Sequence, residues 1–95
     1  MAVAFLQLEI HLPESHSLKD RRQVVRSLKD RLRQRFNVAV AELNPDDLWQ
    51  RASVGIVAVG ADHASIEGLL RQVGDASLEM LRGQSVQLGE IEFLD

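Results

Sequence analysis

The chain has no cysteine among its 95 residues. Disulfides and thiolate metal sites are thereby excluded, and hydrophobic burial with backbone hydrogen bonds must hold the fold. A reducing, cytoplasmic setting is expected. No run approaches the ~18 apolar residues that a membrane span needs, and the opening MAVAFLQLEIHLP lacks the basic and long apolar regions of a secretory signal. A soluble protein without an export signal is the expectation. The six glycines are scattered and make neither G-x-x-x-x-G-K-[ST] nor G-x-G-x-x-G, so nucleotide binding has no warrant. The three histidines, His11, His16 and His63, stand in no nucleophile and base motif. Glu9 and His11 share a strand face and His16 follows in a loop, but with no Cys ligand and no H-x-x-x-H helix they make a poor metal site. No catalytic residue, metal ligand, cofactor or small-molecule substrate is therefore assigned, and a non-enzymatic protein is expected.

Positive charge is scarce everywhere except in one stretch. Ser17 to Phe36, SLKDRRQVVRSLKDRLRQRF, holds eight of the eleven Lys and Arg residues and two of the fourteen carboxylates, a local charge of +6. The rest of the chain carries −9, so that the whole sums to −3. A sequence pI near 5.5 argues against coating nucleic acid by bulk charge, because long-range attraction follows the net field. Any contact with a polyanion is then local and salt-sensitive.

Ninety-five residues make one small domain, 1–95. From Val3 to Leu12 the apolar residues alternate, which predicts a strand stopped by Pro13. Ser17 and Asp20 fit the [ST]-x-x-[DE] start of a helix whose apolar stripe is Leu18, Val25, Leu28, Leu32 and Phe36. Asn37 to Leu43 predicts a short strand ending in the turn Asn44, Pro45, Asp46, Asp47. Gln50 to Val59, apolar on both faces from Val54, predicts a central strand. A second helix begins at Asp62 and Ser65, buries Ile66, Leu69, Leu70, Val73, Leu78 and Leu81, and ends with Gly83 at its C′ position. Ser85 to Leu94 alternates with a phase change that a bulge at Gly89 explains. The order β-α-β-β-α-β is the split βαβ of the α+β ferredoxin-like fold: a four-stranded antiparallel sheet with two helices on one face. Phe5, Gln7, Glu9 and His11 are expected on the other, uncovered face, a candidate surface for self-association into a homodimer.

On the first helix Lys19, Arg22, Arg26, Lys29 and Arg33 recur at spacings of three and four, which aligns them as one basic ridge. At about 1.5 Å per residue the ridge is roughly 21 Å long. Charge runs are usually solvated faces, but this one is poorly arranged for that purpose. Each of its like-charge neighbours costs about 0.2 to 0.5 kcal/mol, and Lys19, Arg21 and Arg22 sit at the positive end of the helix dipole. An anionic partner relieves both penalties. Binding of RNA on the sheet, as in RNA-recognition motifs, needs exposed rings on the two central strands, and only Phe5 qualifies. Trp49, the sole tryptophan, either stacks on a base or packs at the edge of the core.

The segment SLKDRRQVVRSLKDRLRQRFNVAVAE, followed by LWQRA, resembles the YlxP-like family of small bacterial proteins of unknown function, over nearly the whole chain. Arg21 stands where that family usually has Lys, and Ala39 where it usually has Ser. The resemblance implies a ferredoxin-like fold and a bacterial cytoplasmic protein whose gene tends to lie among those for translation initiation and ribosome maturation. It brings no activity and no site residue, but it places RNA above other polyanions. The sequence thus favours a non-enzymatic RNA- or ribosome-associated module with the five ridge cations on phosphates. Five neutralised phosphates imply a log-log salt slope of roughly −3.5 to −4.5. The alternative is a homodimeric interaction protein whose basic helix binds an acidic protein surface.

Overall fold

The computed structural model describes residues 1–13, 16–44 and 50–95. The elements follow in the expected order: β1 (Ala2–His11), α1 (Leu18–Arg35), β2 (Ala39–Glu42), β3 (Arg51–Gly60), α2 (His63–Met80), β4 (Ser85–Leu88) and β5 (Glu92–Phe93). β1 and β3 form the centre of the sheet and pair antiparallel from Ala2↔Gly60 to His11↔Arg51. β2 lies outside β3 and β4 outside β1, giving the order β2-β3-β1-β4 of a ferredoxin-like sheet. The anticipated turn after Asn44 and Trp49 fall outside the described residues, apart from Asn44 itself.

Alternation along the strands builds the core. Ala4, Leu6, Leu8 and Ile10 of β1 lie beside Ala58, Ile56, Val54 and Ala52 of β3, all of them buried. Val25, Leu28 and Leu32 of α1 and Ile66, Leu70 and Val73 of α2 close over them in the same cluster. Each fully buried Leu, Ile or Val side chain contributes about 1.5 to 3 kcal/mol relative to exposure. Both helices occupy this one face, and no described element covers the other.

Helix starts follow the sequence closely. Ser17 Oγ accepts from the Asp20 amide at 3.1 Å, while Asp20 Oδ2 accepts from the His16 amide at 3.0 Å. The Asp20 carboxylate therefore reaches one residue beyond the cap. Asp62 caps α2 by accepting from the Ser65 amide at 2.8 Å. α2 stops at Met80 with Leu81 as its cap, so Gly83, at φ +94, lies one position beyond the C′ place expected for it. Leu78 is exposed, contrary to the anticipated stripe. The buried place in that turn goes to Ser77, whose hydroxyl donates to the Val73 carbonyl at 2.7 Å and so needs no other partner. Leu18 is likewise 37% exposed and Phe36 only half-buried.

The last strand is split rather than bulged. β4 pairs with β1 from Leu8↔Leu88 to His11↔Ser85, and β5 pairs with it again at Ala4↔Phe93 and Phe5↔Glu92. Between them the Gly89 amide donates to the Gln7 carbonyl at 2.8 Å, which keeps the chain beside β1 while its side chains change phase. β5 is fastened at its far side. Asp95 accepts from the Val3 amide at 3.2 Å and meets His63 Nε2 at 2.8 Å, and the Phe93 ring stands edge-on to His63 at 4.5 Å.

Candidate nucleic-acid interface

α1 is positioned by a residue that the ridge does not include. Arg21 falls in register with Val25, Leu28 and Leu32, and the structure buries it completely with them. Its guanidinium is satisfied where β2 ends and β3 begins. Nε donates to the Arg51 carbonyl at 2.6 Å, Nη2 to the Asn44 carbonyl at 2.7 Å, and Nη1 pairs with Glu42 Oε2 at 2.6 Å. Asn44 in turn accepts from the Ser53 amide at 2.6 Å. Such a planar, rigid donor fork suits several fixed oxygens at once. Arg21 therefore does not add to the repulsion at the helix start: its charge is neutralised by Glu42, and it pins the first turns of α1 to the hairpin.

The five ridge cations divide into two groups. Lys19, Arg22 and Arg26 are exposed, while Lys29 is half-buried on the flank that turns toward β2. Arg33 reaches across to β2 and donates from Nη2 to the Val40 carbonyl at 2.7 Å. β2 is the sheet edge, so this bond covers a backbone acceptor that an edge strand otherwise leaves open. Among the described residues, no carboxylate lies within 4.0 Å of Lys19, Arg22, Arg26, Lys29 or Arg33. At α2 and just after it the pattern is different, since Arg71 pairs with Glu67 at 3.5 Å and Arg82 pairs with Glu79. Neighbours three and four apart on a helix are about 5 to 6 Å apart at Cβ, well inside a Debye length of about 8 to 10 Å. The fields of Lys19, Arg22 and Arg26 consequently add.

These three cations border a shallow furrow of about 540 Å³ along the solvent side of α1, which Gln23 and Ser27 line and Arg31 bounds on the opposite side. Asp30 is the one carboxylate in it. Arg31 was not singled out in the sequence, although its place four residues after Ser27 marks it as the far border.

Phe5, Gln7, Glu9 and His11 lie together on the uncovered sheet face, which is divided across its length. One half is polar: Gln7 Nε2 donates to Glu9 Oε1 at 2.6 Å, and the Ser53 hydroxyl reaches the same carboxylate at 2.6 and 2.7 Å. The other half is apolar, with Phe5 against Gly55, Val57 and Leu43 and Val59 exposed beyond them. Among the described residues, no three His, Asp or Glu side chains are grouped closely enough to hold a metal ion. No described helix is long and apolar enough to cross a membrane.

A ferredoxin-like α+β domain with a basic flank on its first helix is the class that fold and surface define. The chain belongs to the family described as "Protein of unknown function (DUF503)", whose sequence model matches residues 3–88. It is 34% identical over 71 residues to the "Uncharacterized protein YlxP" of Bacillus subtilis (strain 168), covering 75% of this chain and 77% of that protein. Among solved structures, a C-terminal segment of the alpha subunit of aIF2 from Pyrococcus abyssi superposes with a TM-score of 0.57 at 18% identity. That match covers 90% of this chain and 48% of the other, so the chain spans about half the length of that segment. The de novo designed protein Foldit4 gives 0.55 at 12% identity, covering 96% of this chain and 94% of the design. At these identities the likeness is one of fold, and a fold of this kind hosts unrelated functions.

Proposed function

We propose that this chain is a non-enzymatic, cytoplasmic RNA- or ribosome-associated binding module that uses the basic flank of α1. The observation that carries the reading is a contrast in pairing: Arg71 of α2 and Arg82 just after it have carboxylate partners, whereas the ridge cations of α1 have none among the described residues. A row of like charges is kept at a cost in the free protein, and phosphates relieve it. Lys19, Arg22 and Arg26 make the main contacts, Lys29 adds to them, and Arg33 is shared with Val40. Three to four neutralised phosphates lower the expected salt slope to roughly −2 to −3.5.

The test is retention of RNA and purified ribosomal subunits by the native chain and by an Arg22→Gln, Arg26→Gln, Lys29→Gln variant, over graded salt and with or without ribonuclease. Loss in the variant and on ribonuclease treatment supports the reading. Binding that the variant retains undiminished refutes it, and ribonuclease-resistant capture that still needs the cations points instead to an acidic protein surface.

A second reading, compatible with the first, is a homodimer through the uncovered sheet face. It is favoured by the apolar half of that face, where Val59 is 60% and Leu43 49% exposed. Sedimentation equilibrium of the native chain against Val59→Asp tests it. A native monomer at all concentrations refutes it.

A further inference from the structure

Gln84 carries a polar atom that neither the core nor the basic ridge uses. It ends the turn between α2 and β4, where its amide donates to the Leu81 carbonyl at 2.9 Å, and its side chain lines a cleft of about 290 Å³ between α1 and the end of α2. Its Oε1 is buried and has no hydrogen-bond partner among the described residues. Buried acceptors are nearly always paired, because an unpaired one gives up its hydration without return. Glu42 Oε2, which also lacks a hydrogen bond, at least faces Arg21 Nη1 at 2.6 Å. Gln84 has no such neutralising contact among the described residues. The last torsion of a glutamine is broad, so the amide is able to turn into the cleft when a donor arrives there.

The rest of the cleft narrows the choice of donor. Its floor is apolar, made by the buried Leu28 and Leu81 with the half-buried Val24. Two guanidiniums line it as well: Arg82 has Glu79 as a partner, while no carboxylate of the described residues lies within 4.0 Å of Arg31. The volume is at the lower end of the range for small-ligand sites, about 300 to 1,000 Å³, and too small for a helix of about 10 Å diameter. An occupant therefore needs a small body with apolar faces, an N–H or O–H donor on it, and an anionic group close by. A nucleotide has all three. A paired base has its donors and both faces engaged in the duplex, so an unpaired one is required, as in loops and bulges. Gln23, Ser27 and Arg31 line both this cleft and the furrow bordered by Lys19, Arg22 and Arg26, so phosphates lying on the ridge pass the mouth of the cleft. We infer that the cleft receives one unpaired nucleotide of an RNA bound along α1, its base on Leu28 and Leu81, a base N–H donating to Gln84 Oε1 and its phosphate on Arg31. The inference rests on the RNA reading above and adds a requirement for an unpaired base.

Fluorescence anisotropy with three labelled RNAs tests this: a fully paired duplex of about 16 base pairs, the same duplex with a one-nucleotide bulge, and that bulged duplex with an abasic site in place of the bulged base. The last two share backbone shape and charge and differ in the base alone. The bulged duplex is expected to bind about tenfold more tightly than the other two, the size of one hydrogen bond to a buried acceptor. Gln84→Met keeps the length of the side chain and removes the acceptor. This variant is expected to bind all three RNAs equally, with an unchanged salt slope, and to melt no lower than the native chain, because the lost atom has no partner in the free protein. Bulged and abasic duplexes bound alike by the native chain overturn the inference while RNA binding itself stands. A lower melting temperature for Gln84→Met with equal losses on every probe also overturns it, since Gln84 then serves the fold. A free nucleoside monophosphate that binds as tightly as the bulged duplex assigns the cleft to free nucleotides and overturns the RNA assignment. No binding to any RNA overturns both this inference and the RNA reading.

Discussion

Replacing Arg21 by methionine isolates the joint between α1 and the β2–β3 hairpin. The substitution fills much of the volume but removes the ion pair to Glu42 and the donors to the Arg51 and Asn44 carbonyls. Glu42 keeps only 14% of its side chain exposed, so water restores little. Breaking one side of a buried charge pair costs about 3 to 5 kcal/mol, out of a total stability of about 5 to 14 kcal/mol for a chain of this size. The expected result is a fall in melting temperature of about 15 to 30 °C and a shift in urea midpoint of about 2 to 4 M, followed by far-UV circular dichroism. Arg21→Lys should cost less, about 1 to 2 kcal/mol, because an ammonium keeps the charge but not the fixed fork. A double-mutant cycle with Glu42→Gln should give a coupling above about 1 kcal/mol. An Arg21→Met variant within about 0.5 kcal/mol of native would refute the pinning argument.

Ser17→Ala removes the oxygen that caps α1 and should lower stability by about 1 kcal/mol in the same urea assay. Gly60→Ala places a Cβ 2.5 Å from Ile66 Cδ1 and 3.0 Å from its Cγ1, and displacing this buried side chain should cost about 1 to 3 kcal/mol. Arg33→Ala uncovers the Val40 carbonyl at the sheet edge, and sedimentation velocity should detect more self-association than in the native chain. Asp62 is held below the ordinary carboxylate value by hydrogen bonds from the Ser65 amide and hydroxyl, and Asp95 by the Val3 amide and then by His63. The unfolded chain therefore takes up these protons first, so their contribution is complete above the ordinary aspartate value of about 3.9 and fades as pH falls through the lower folded values. Asp62→Asn should shrink the difference between urea midpoints measured at about pH 6 and about pH 3.

Period and capping carried most of the fold. The alternation in β1, the cap at Ser17 and the doubly apolar β3 each have a single local cause, and the structure places them within a residue or two of expectation. Arg21 was the missed residue. Its spacing of four, three and four to Val25, Leu28 and Leu32 marks it as part of the buried stripe, but charge outweighed position, and the oxygens that make its burial tolerable come from Glu42 of β2, Arg51 of β3 and Asn44. Leu78 failed for the converse reason: apolar character outweighed position, and Ser77 holds the inward place by satisfying its own hydroxyl within the helix. The alignment of the basic ridge was legible because helical spacing alone decides it. The engagement of Arg33 with Val40 was not, since nothing local indicates which strand edge the helix will lie beside.

The anchoring of α1 also bears on the speed of encounter. With its first turn capped by Ser17 and clamped through Arg21 to the hairpin, the helix needs no folding step before contact, and the positions of its cations are set in the free protein. Association is then governed by electrostatic steering, so added salt should act mainly on the on-rate. Loosening the clamp should instead slow productive docking at every salt concentration, because the helix must first find its own place.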